Sequence, residues 1–352
     1  MKSISIYISA LTLIVCSLGC SEKISLASEN EDYFFHVKEE GAYLPVWVRG
    51  NVSSKKILLY VQGGPGLNTI DFATVDYMGW EGTLEKDYAI AYYDQRGMGN
   101  AQGDFDWESI SLDQYMKDLR KIVFAIKTQY PETDVYLFGH SFGGWLSYLY
   151  EVTYADEPVV DGVIAMNAPF STDKNEIRWT FRHAFLKRVA EDFIEKEIEM
   201  EYWTEVFNWT NEHPVIDELE ERRQWNRYVI NGLSAYEIEP KLGLGKILKG
   251  VFASSINIFP TLLDVEKQDK VADLLFADQD GIELLDRLAE MQSPLLMITG
   301  SYDDIAPAEE LEFAFEQIGS IKKQLVVLPD AGHDSMLNQP EQFRKAIKDF
   351  VN

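Results

Sequence analysis

One short run in this chain has the form of a reactive turn. Gly139-His140-Ser141-Phe142-Gly143-Gly144 fits G-x-S-x-G, directly after the apolar Tyr136-Leu137-Phe138 and directly before the helical pattern Trp145 to Glu151. A serine on a sharp strand-to-helix turn stands clear of the sheet with its hydroxyl exposed, and glycines on either side let the backbone approach closely. Ser141 is therefore the candidate nucleophile. A hydroxyl is weakly nucleophilic at neutral pH and needs a base, and histidine is the side chain tuned for that work. Of the five histidines, His36 precedes the core strands, His140 is expected to point away from Ser141, and His183 and His213 belong to a long helical segment. His333, in Asp330-Ala331-Gly332-His333, follows the last apolar run and is the candidate base. The base needs an acid to orient it and stabilise the imidazolium. Asp303 and its rival Asp304 occupy the turn Gly300 to Pro307, one strand earlier. Two backbone N–H groups must also face the oxyanion of a tetrahedral intermediate, each worth ~3 kcal/mol. Phe142 supplies one, and Gly64, with Gly63 as the alternative, supplies the other from Gln62-Gly63-Gly64-Pro65-Gly66.

For residues so far apart in sequence to meet, elements must end at one rim. Short unbroken apolar runs recur at Ile57 to Val61, Ala89 to Tyr93, Val135 to Phe138, Val163 to Met166, Leu295 to Ile298 and Leu325 to Leu328. Runs that do not alternate suit strands buried on both faces, as in a parallel sheet. Between them lie helical stripes. Leu112, Met116, Leu119, Val123 and Ile126 recur at three and four, Pro307 opens a second helix through Leu311, Phe315 and Ile318, and a third runs from Pro340 towards Val351. The alternation predicts an α/β fold with right-handed crossovers, a mostly parallel sheet and helices on both faces. Phe34 and Leu44 to Val48, separated by Glu39-Glu40-Gly41, predict an antiparallel hairpin at the sheet edge.

The rhythm breaks at 171–285, which carries helical patterning and no comparable strand, predicting a helical cap or lid. Glu191 to Glu220 holds 11 acids and one base, and four of the eight tryptophans, Trp179, Trp203, Trp209 and Trp225, fall in this insertion. Such a segment serves either as a substrate lid or as a solvated helix face with its tryptophans packed inward.

With 352 residues the chain is long enough for roughly two domains, or one large fold with an insertion, at ~150 residues per domain. Lys plus Arg number 32 against 58 Asp plus Glu, a net charge of −26, which argues against nucleic acid as a partner. H-E-x-x-H is absent and the histidines are scattered, so neither a metal nor another cofactor is expected. Both cysteines, Cys16 and Cys20, fall within the first twenty residues, so the body has no internal disulfide. Lys2 and the apolar Ile4 to Leu18 have the shape of a signal peptide, too short for a spanning helix. Gly19-Cys20 resembles the junction of a bacterial lipoprotein box, although Ser17 stands where such boxes usually have leucine; an ordinary secretory signal or an uncleaved anchor is the alternative. The expected organisation is a signal peptide at 1–19, lipid on Cys20, a tether at 20–32, core at 33–170, cap at 171–285 and core again at 286–352, exported and membrane-tethered.

From about Tyr33 onward the chain resembles the α/β-hydrolase superfamily, and within it the prolyl aminopeptidase (proline iminopeptidase)-like branch. The resemblance rests on Gly63-Gly64-Pro65-Gly66, Asp94-Gln95-Arg96-Gly97-Met98-Gly99 and Gly139-His140-Ser141-Phe142-Gly143-Gly144, and on the chain order Ser, Asp, His. It implies an α/β-hydrolase fold, a triad of Ser141, Asp303 and His333, and an oxyanion hole at Gly64 and Phe142; the spacing from Gly300 to Pro307 follows the family pattern with Asp303 as the acid. Two positions depart from it. Gln62 stands where the family usually has histidine, and in Gln224-Trp225-Asn226-Arg227-Tyr228 a tryptophan replaces the glutamate that helps to hold a substrate amine. The Trp225 ring or the Glu205 carboxylate would then hold the ammonium. The resemblance implies a serine hydrolase that removes N-terminal residues from short peptides. A carboxylesterase or lactonase on small esters is the alternative, and a lipoprotein that binds a ligand without turning it over is the alternative of another class.

Overall fold

The computed structural model describes residues 30–65, 67–172, 174–237, 243–251 and 265–352. The proposed signal segment 1–19 and Cys20 lie outside the described residues.

Nine strands form one sheet: β1 (Asn30–Glu39), β2 (Ala42–Asn51), β3 (Lys56–Val61), β4 (Ala89–Tyr93), β5 (Gln102–Gly103), β6 (Asp134–His140), β7 (Gly162–Met166), β8 (Leu295–Gly300) and β9 (Lys323–Leu328). Their order is β1-β2-β4-β3-β6-β7-β8-β9, with β5 paired to β2. The pairs from β4-β3 through β8-β9 are parallel, while β1-β2, β2-β4 and β2-β5 are antiparallel, so this is an α/β-hydrolase fold with a mostly parallel sheet. The β1-β2 hairpin is the expected edge. It starts earlier than the sequence suggests: Asn30 pairs with Asn51, and Asp32 accepts the Trp47 indole N–H at 2.6 Å, so residues 30–32 belong to the sheet and not to a tether. The six expected strands all occur. The last is the exception in burial: β9 closes the other edge, with Val327 38% exposed, because among the described residues no strand covers its outer side.

The helices are α1 (Ile70–Thr74), α2 (Leu84–Asp87), α3 (Leu112–Gln129), α4 (Phe142–Thr153), α5 (Glu176–Glu195), α6 (Met200–Glu212), α7 (Leu219–Leu233), α8 (Leu244–Val251), α9 (Val265–Gln279), α10 (Ala308–Gln317), α11 (Ser335–Asn338) and α12 (Pro340–Val351). The alternate side chains of each central strand pack to opposite faces. Leu59, Val61, Leu137, Ala165 and Met297 meet the stripe of α3 together with α4, and Leu58, Tyr60, Phe138, Ile164 and Ile298 meet Trp80 and α12. Ser111 accepts the Gln114 N–H and caps α3, whose Leu112, Met116, Leu119, Val123 and Ile126 are all buried.

Within 171–285 the described residues contain helices and no strand. Trp179, Trp203 and Trp225 are buried with Phe185, Val206 and Tyr228 in a core of the cap's own, while ten of the acids between Glu191 and Glu220 are exposed and Asp192 is half-buried. The tryptophans are thus packing residues, and the acids coat a solvated surface. The cap grips the core at Tyr302, whose hydroxyl is 2.5 Å from Asp192 and 2.7 Å from Lys196 Nζ. Its last helix behaves differently. Val271 and Leu275 of α9 are buried in the main core, and Asp278 accepts the Leu112 N–H at the start of α3.

Candidate active site

At the end of β6, Ser141 has φ 50° and ψ −120°, a conformation held in spite of its cost, ~1–3 kcal/mol for residues in such sparsely populated regions. Two bonds hold it: its N–H donates to the Met166 carbonyl at 2.8 Å and its carbonyl accepts from Trp145 N–H at 3.0 Å. The flanking glycines permit the crowding. A Cβ on Gly143 would come within 2.0 Å of the Val61 carbonyl oxygen, and one on Gly139 within 2.4 Å of the Gly143 carbonyl oxygen.

The structure brings the three distant side chains together. His333 Nε2 lies 2.8 Å from Ser141 Oγ, and His333 Nδ1 lies 2.9 Å from Asp303 Oδ1. Asp303 is fully buried. Its Oδ1 also accepts the N–H groups of Ile305 and Ala306, and its Oδ2 accepts from Asn167 Nδ2 at 2.8 Å, with Thr299 Oγ1 3.1 Å away and closer, at 2.7 Å, to the Ala306 carbonyl that takes its proton. Burial alone would raise this carboxyl, yet the His333 charge and these donors hold it below its ordinary value, so it stays ionised. For His333, burial pushes down, but the charge and hydrogen bond of Asp303, helped by Asp334 and Asp304, outweigh it and raise the imidazole to about 9. Asp304 is not the partner of Nδ1; burial and the neighbouring Asp303 charge push its carboxyl up.

His140 sits beside His333. Its ring centroid is 5.2 Å from that of His333, with Nε2 3.3 Å from the His333 carbonyl oxygen and 3.5 Å from Asp334 Oδ1. Burial first and the His333 charge second depress it to about 4, so it is neutral beside the base. His183 Nε2 and His213 Nδ1 each face a backbone carbonyl, of Thr210 and Trp209, within the cap.

Gly64 and Phe142 line the same cavity as Ser141, about 390 Å³ in volume, walled also by Trp145, Phe276, Arg178 and Arg182. Gly64 has φ +63°, and Phe142 opens α4, where an N–H has no partner within the helix. Gly63 lies closer in behind: a Cβ there would be 2.8 Å from His140 Nδ1 and 3.0 Å from Ser141 Cβ.

Neither lid residue reaches this cavity. Trp225 is 1% exposed; its indole N–H donates to the Arg182 carbonyl at 2.9 Å, and the Arg182 guanidinium already sits 5.0 Å over its ring, so no substrate ammonium can use that face. Glu205 is an exposed residue on the outer cap surface, where it accepts from the Tyr228 hydroxyl at 3.0 Å. The reason is one of packing: an amphipathic helix pair buries its aromatic stripe inward and leaves its acids outside.

Two supports stand behind the three side chains: Asn167, which was not read from the sequence, and the Asp94 to Gly99 run, which was. Asn167, fully buried and at φ +51°, ties the acid turn to the histidine loop. Asp94, buried and pushed up to about 6 by that burial against the opposing N–H groups of Asn100, Ile70 and Thr69, holds the chain just after the glycine turn. Its neighbour Arg96 pairs with Asp118 at 2.7 Å and donates to the Glu39 and Glu40 carbonyls, so the Asp94 to Gly99 loop knits the edge hairpin and α3 to the site. A buried polar run amid apolar strands, Asp94-Gln95-Arg96, was the available signal.

The sequence profile of the Alpha/beta hydrolase family matches residues 66–346. A proline iminopeptidase from Chitinophaga pinensis is 23% identical over 322 residues, 90% of this chain and 96% of its own. The proline iminopeptidase of Mycobacterium smegmatis superposes with a TM-score of 0.57 at 18% identity, covering 91% of this chain and 97% of that one. A thermophilic esterase from Thermogutta terrifontis, with malate bound, superposes with a TM-score of 0.51 at 18% identity over 91% and 98%. Both structures share the fold. The profile match spans most of the chain and includes the serine turn, the acid turn and the histidine loop, and on these grounds the protein belongs to the alpha/beta hydrolase family.

Proposed function

We propose that the protein is a serine hydrolase working through an acyl-enzyme, with small aminoacyl compounds, short peptides first among them, as substrates. The observation that carries the reading is the unbroken file from Ser141 Oγ through the His333 ring to Asp303, with both gaps under 3 Å. In this scheme Ser141 Oγ bonds to the substrate carbonyl carbon as its proton passes to His333 Nε2. The imidazolium returns that proton to the leaving amine or alcohol as the C–N or C–O bond breaks. Water then attacks the acyl-enzyme, its proton taken by His333 and handed back to Ser141 Oγ. Asp303 remains charged throughout, and Gly64 and Phe142 N–H groups face the oxyanion.

The peptidase half of the reading draws on a relative named as a proline iminopeptidase that matches this chain over nearly its whole length. One observation favours esters or lactones as a second reading: Glu205 and Trp225, the candidate amine anchors, do not line the cavity, whose wall beside Ser141 includes the apolar Phe142, Trp145 and Phe276. Chromogenic Pro-, Ala- and Phe-aminoacyl amides run against acyl esters separate the two. Turnover of the amides supports the peptidase reading, and turnover of esters alone removes it.

We also infer export and tethering through a lipid on Cys20, supported by Lys2, the apolar Ile4 to Leu18 and the Gly19-Cys20 junction. Cys20→Ser should move the protein from the membrane fraction to the soluble fraction. A variant that stayed with the membrane would refute the lipid on Cys20.

A further inference from the structure

One buried residue bonds both Asp303 and the residue before His333, and it does not line the cavity. Asn167 follows β7 directly and takes a left-handed φ of +51°, a region that asparagine enters more readily than most residues. Its N–H donates to the Ile298 carbonyl at 2.7 Å, fixing it to β8. Its side chain then makes three bonds: Nδ2 donates to Asp303 Oδ2 at 2.8 Å and to the Gly332 carbonyl at 3.2 Å, and Oδ1 accepts from Ser335 Oγ at 2.6 Å. The amide orientation follows from its neighbours, since the reverse would set its oxygen against a carboxylate and a carbonyl.

The consequence lies in how Asp303 shares out its lone pairs. With Asn167 on Oδ2, the other oxygen is left for the imidazole and two backbone N–H groups. The same amide holds Gly332, the residue before His333, so acid and base are tied through one rigid group. Removing it frees the carboxylate to turn and loosens the loop that carries the base.

We propose that Asn167 is a positioning residue of the relay, fixing the Asp303 carboxylate and the His333 loop relative to each other, and that its loss slows attack by Ser141 while leaving occupancy of the cavity unchanged. The proposal rests on the serine hydrolase reading above. The charged and titratable groups facing His333 are Asp303 and Asp304 from the turn after β8, Asp334 from its own loop, His140 from the end of β6 and Glu237 from the cap. Asn167→Ala alters none of them, so a moved pH profile must come through the lost bonds. A carboxylate turned away from Nδ1 holds the imidazolium less firmly, and burial then draws its titration to lower pH.

The test is the rate of labelling by a fluorophosphonate, which needs no knowledge of the substrate, measured against probe concentration and pH for wild type, Asn167→Ala and Ser335→Ala. The maximal labelling rate of Asn167→Ala should fall about 10- to 100-fold, the scale of a lost bond to a charged group. The probe concentration for half-maximal rate should stay within about two-fold of wild type, and the pH midpoint should fall. Ser335→Ala, which removes only the bond that orients the amide, should follow in the same direction with a smaller drop, and it carries the test if Asn167→Ala does not fold. A maximal rate within two-fold of wild type, a loss that falls on the half-maximal concentration, or an unmoved or raised midpoint would overturn the proposal. Wild-type protein that takes no label would instead remove the serine hydrolase reading, and the proposal with it.

Discussion

Along the rim of the sheet the side chains that meet are held chiefly by backbone and by turn geometry; in the cap they are held by one another. Ser141 is pinned by the Met166 carbonyl and the Trp145 N–H, and Asp303 by the N–H groups of Ile305 and Ala306. In the cap, Trp203 stacks on Phe193 at 4.6 Å, Trp225 meets Trp179 edge-on at 5.8 Å, and Arg182 lies over both Trp179 and Trp225. Rim residues therefore have their positions dictated by local sequence, glycines above all, whereas cap residues take positions that only the whole packed cluster decides. The expected contrast is that rim substitutions remove rate and cap substitutions remove stability.

The largest effect should come from Ser141→Ala, which takes away the proposed nucleophile: turnover should drop by ~10⁶-fold, as for other serine enzymes, with the thermal transition unmoved. Asp303→Asn should cost ~10⁴-fold by presenting the wrong tautomer of His333. It should also lower the pH midpoint, because the charge that raises the imidazole is gone and burial is left to depress it. On the other side of the contrast, Trp225→Ala opens a void in the cap and should cost ~3–5 kcal/mol in chemical denaturation, while Ser141 in the protein that remains folded is labelled at the normal rate. A Trp225→Ala protein of full stability and lowered rate would break the comparison.

Smaller effects sharpen it. His333 must be neutral to accept the serine proton, and its folded value is raised to about 9. The rate should therefore climb with pH to a plateau above that value and fall about tenfold per unit below it, at higher pH than an ordinary histidine near ~6.5 would give. Glu205→Gln should change KM for an aminoacyl amide by less than about two-fold, since an exposed carboxylate on the outer cap stabilises no bound ammonium. A KM raised tenfold would return Glu205 to the substrate site.

The same contrast explains which parts of the molecule could be read in advance. The strands announced themselves because a parallel sheet covered on both faces requires unbroken apolar runs, and Gly139, Ser141 and Gly143 because so tight a turn admits few other residues. Asp303 could be separated from Asp304 only by resemblance, since both lie in one turn and only the fold decides which reaches Nδ1. Inward packing of the cap tryptophans was one of the two readings open, but Trp225 was misplaced as an ammonium anchor because an aromatic at helical spacing looks the same whether it faces a ligand or another helix; it faces Trp179 and Arg182. Asn167 was invisible because its partners, Asp303, Gly332 and Ser335, lie more than a hundred residues away. The start of β1 at Asn30 was missed because its first three residues are polar, and their place is set by pairing with Asn51 to Arg49.

The most direct test of the central claim is to locate and time the covalent label left by a fluorophosphonate on wild type and on His333→Ala. The account predicts a single adduct on Ser141, formed through a pH midpoint near 9 and slowed by several orders of magnitude without the imidazole. An adduct on another residue, or a His333→Ala protein labelled as fast as wild type, would contradict it.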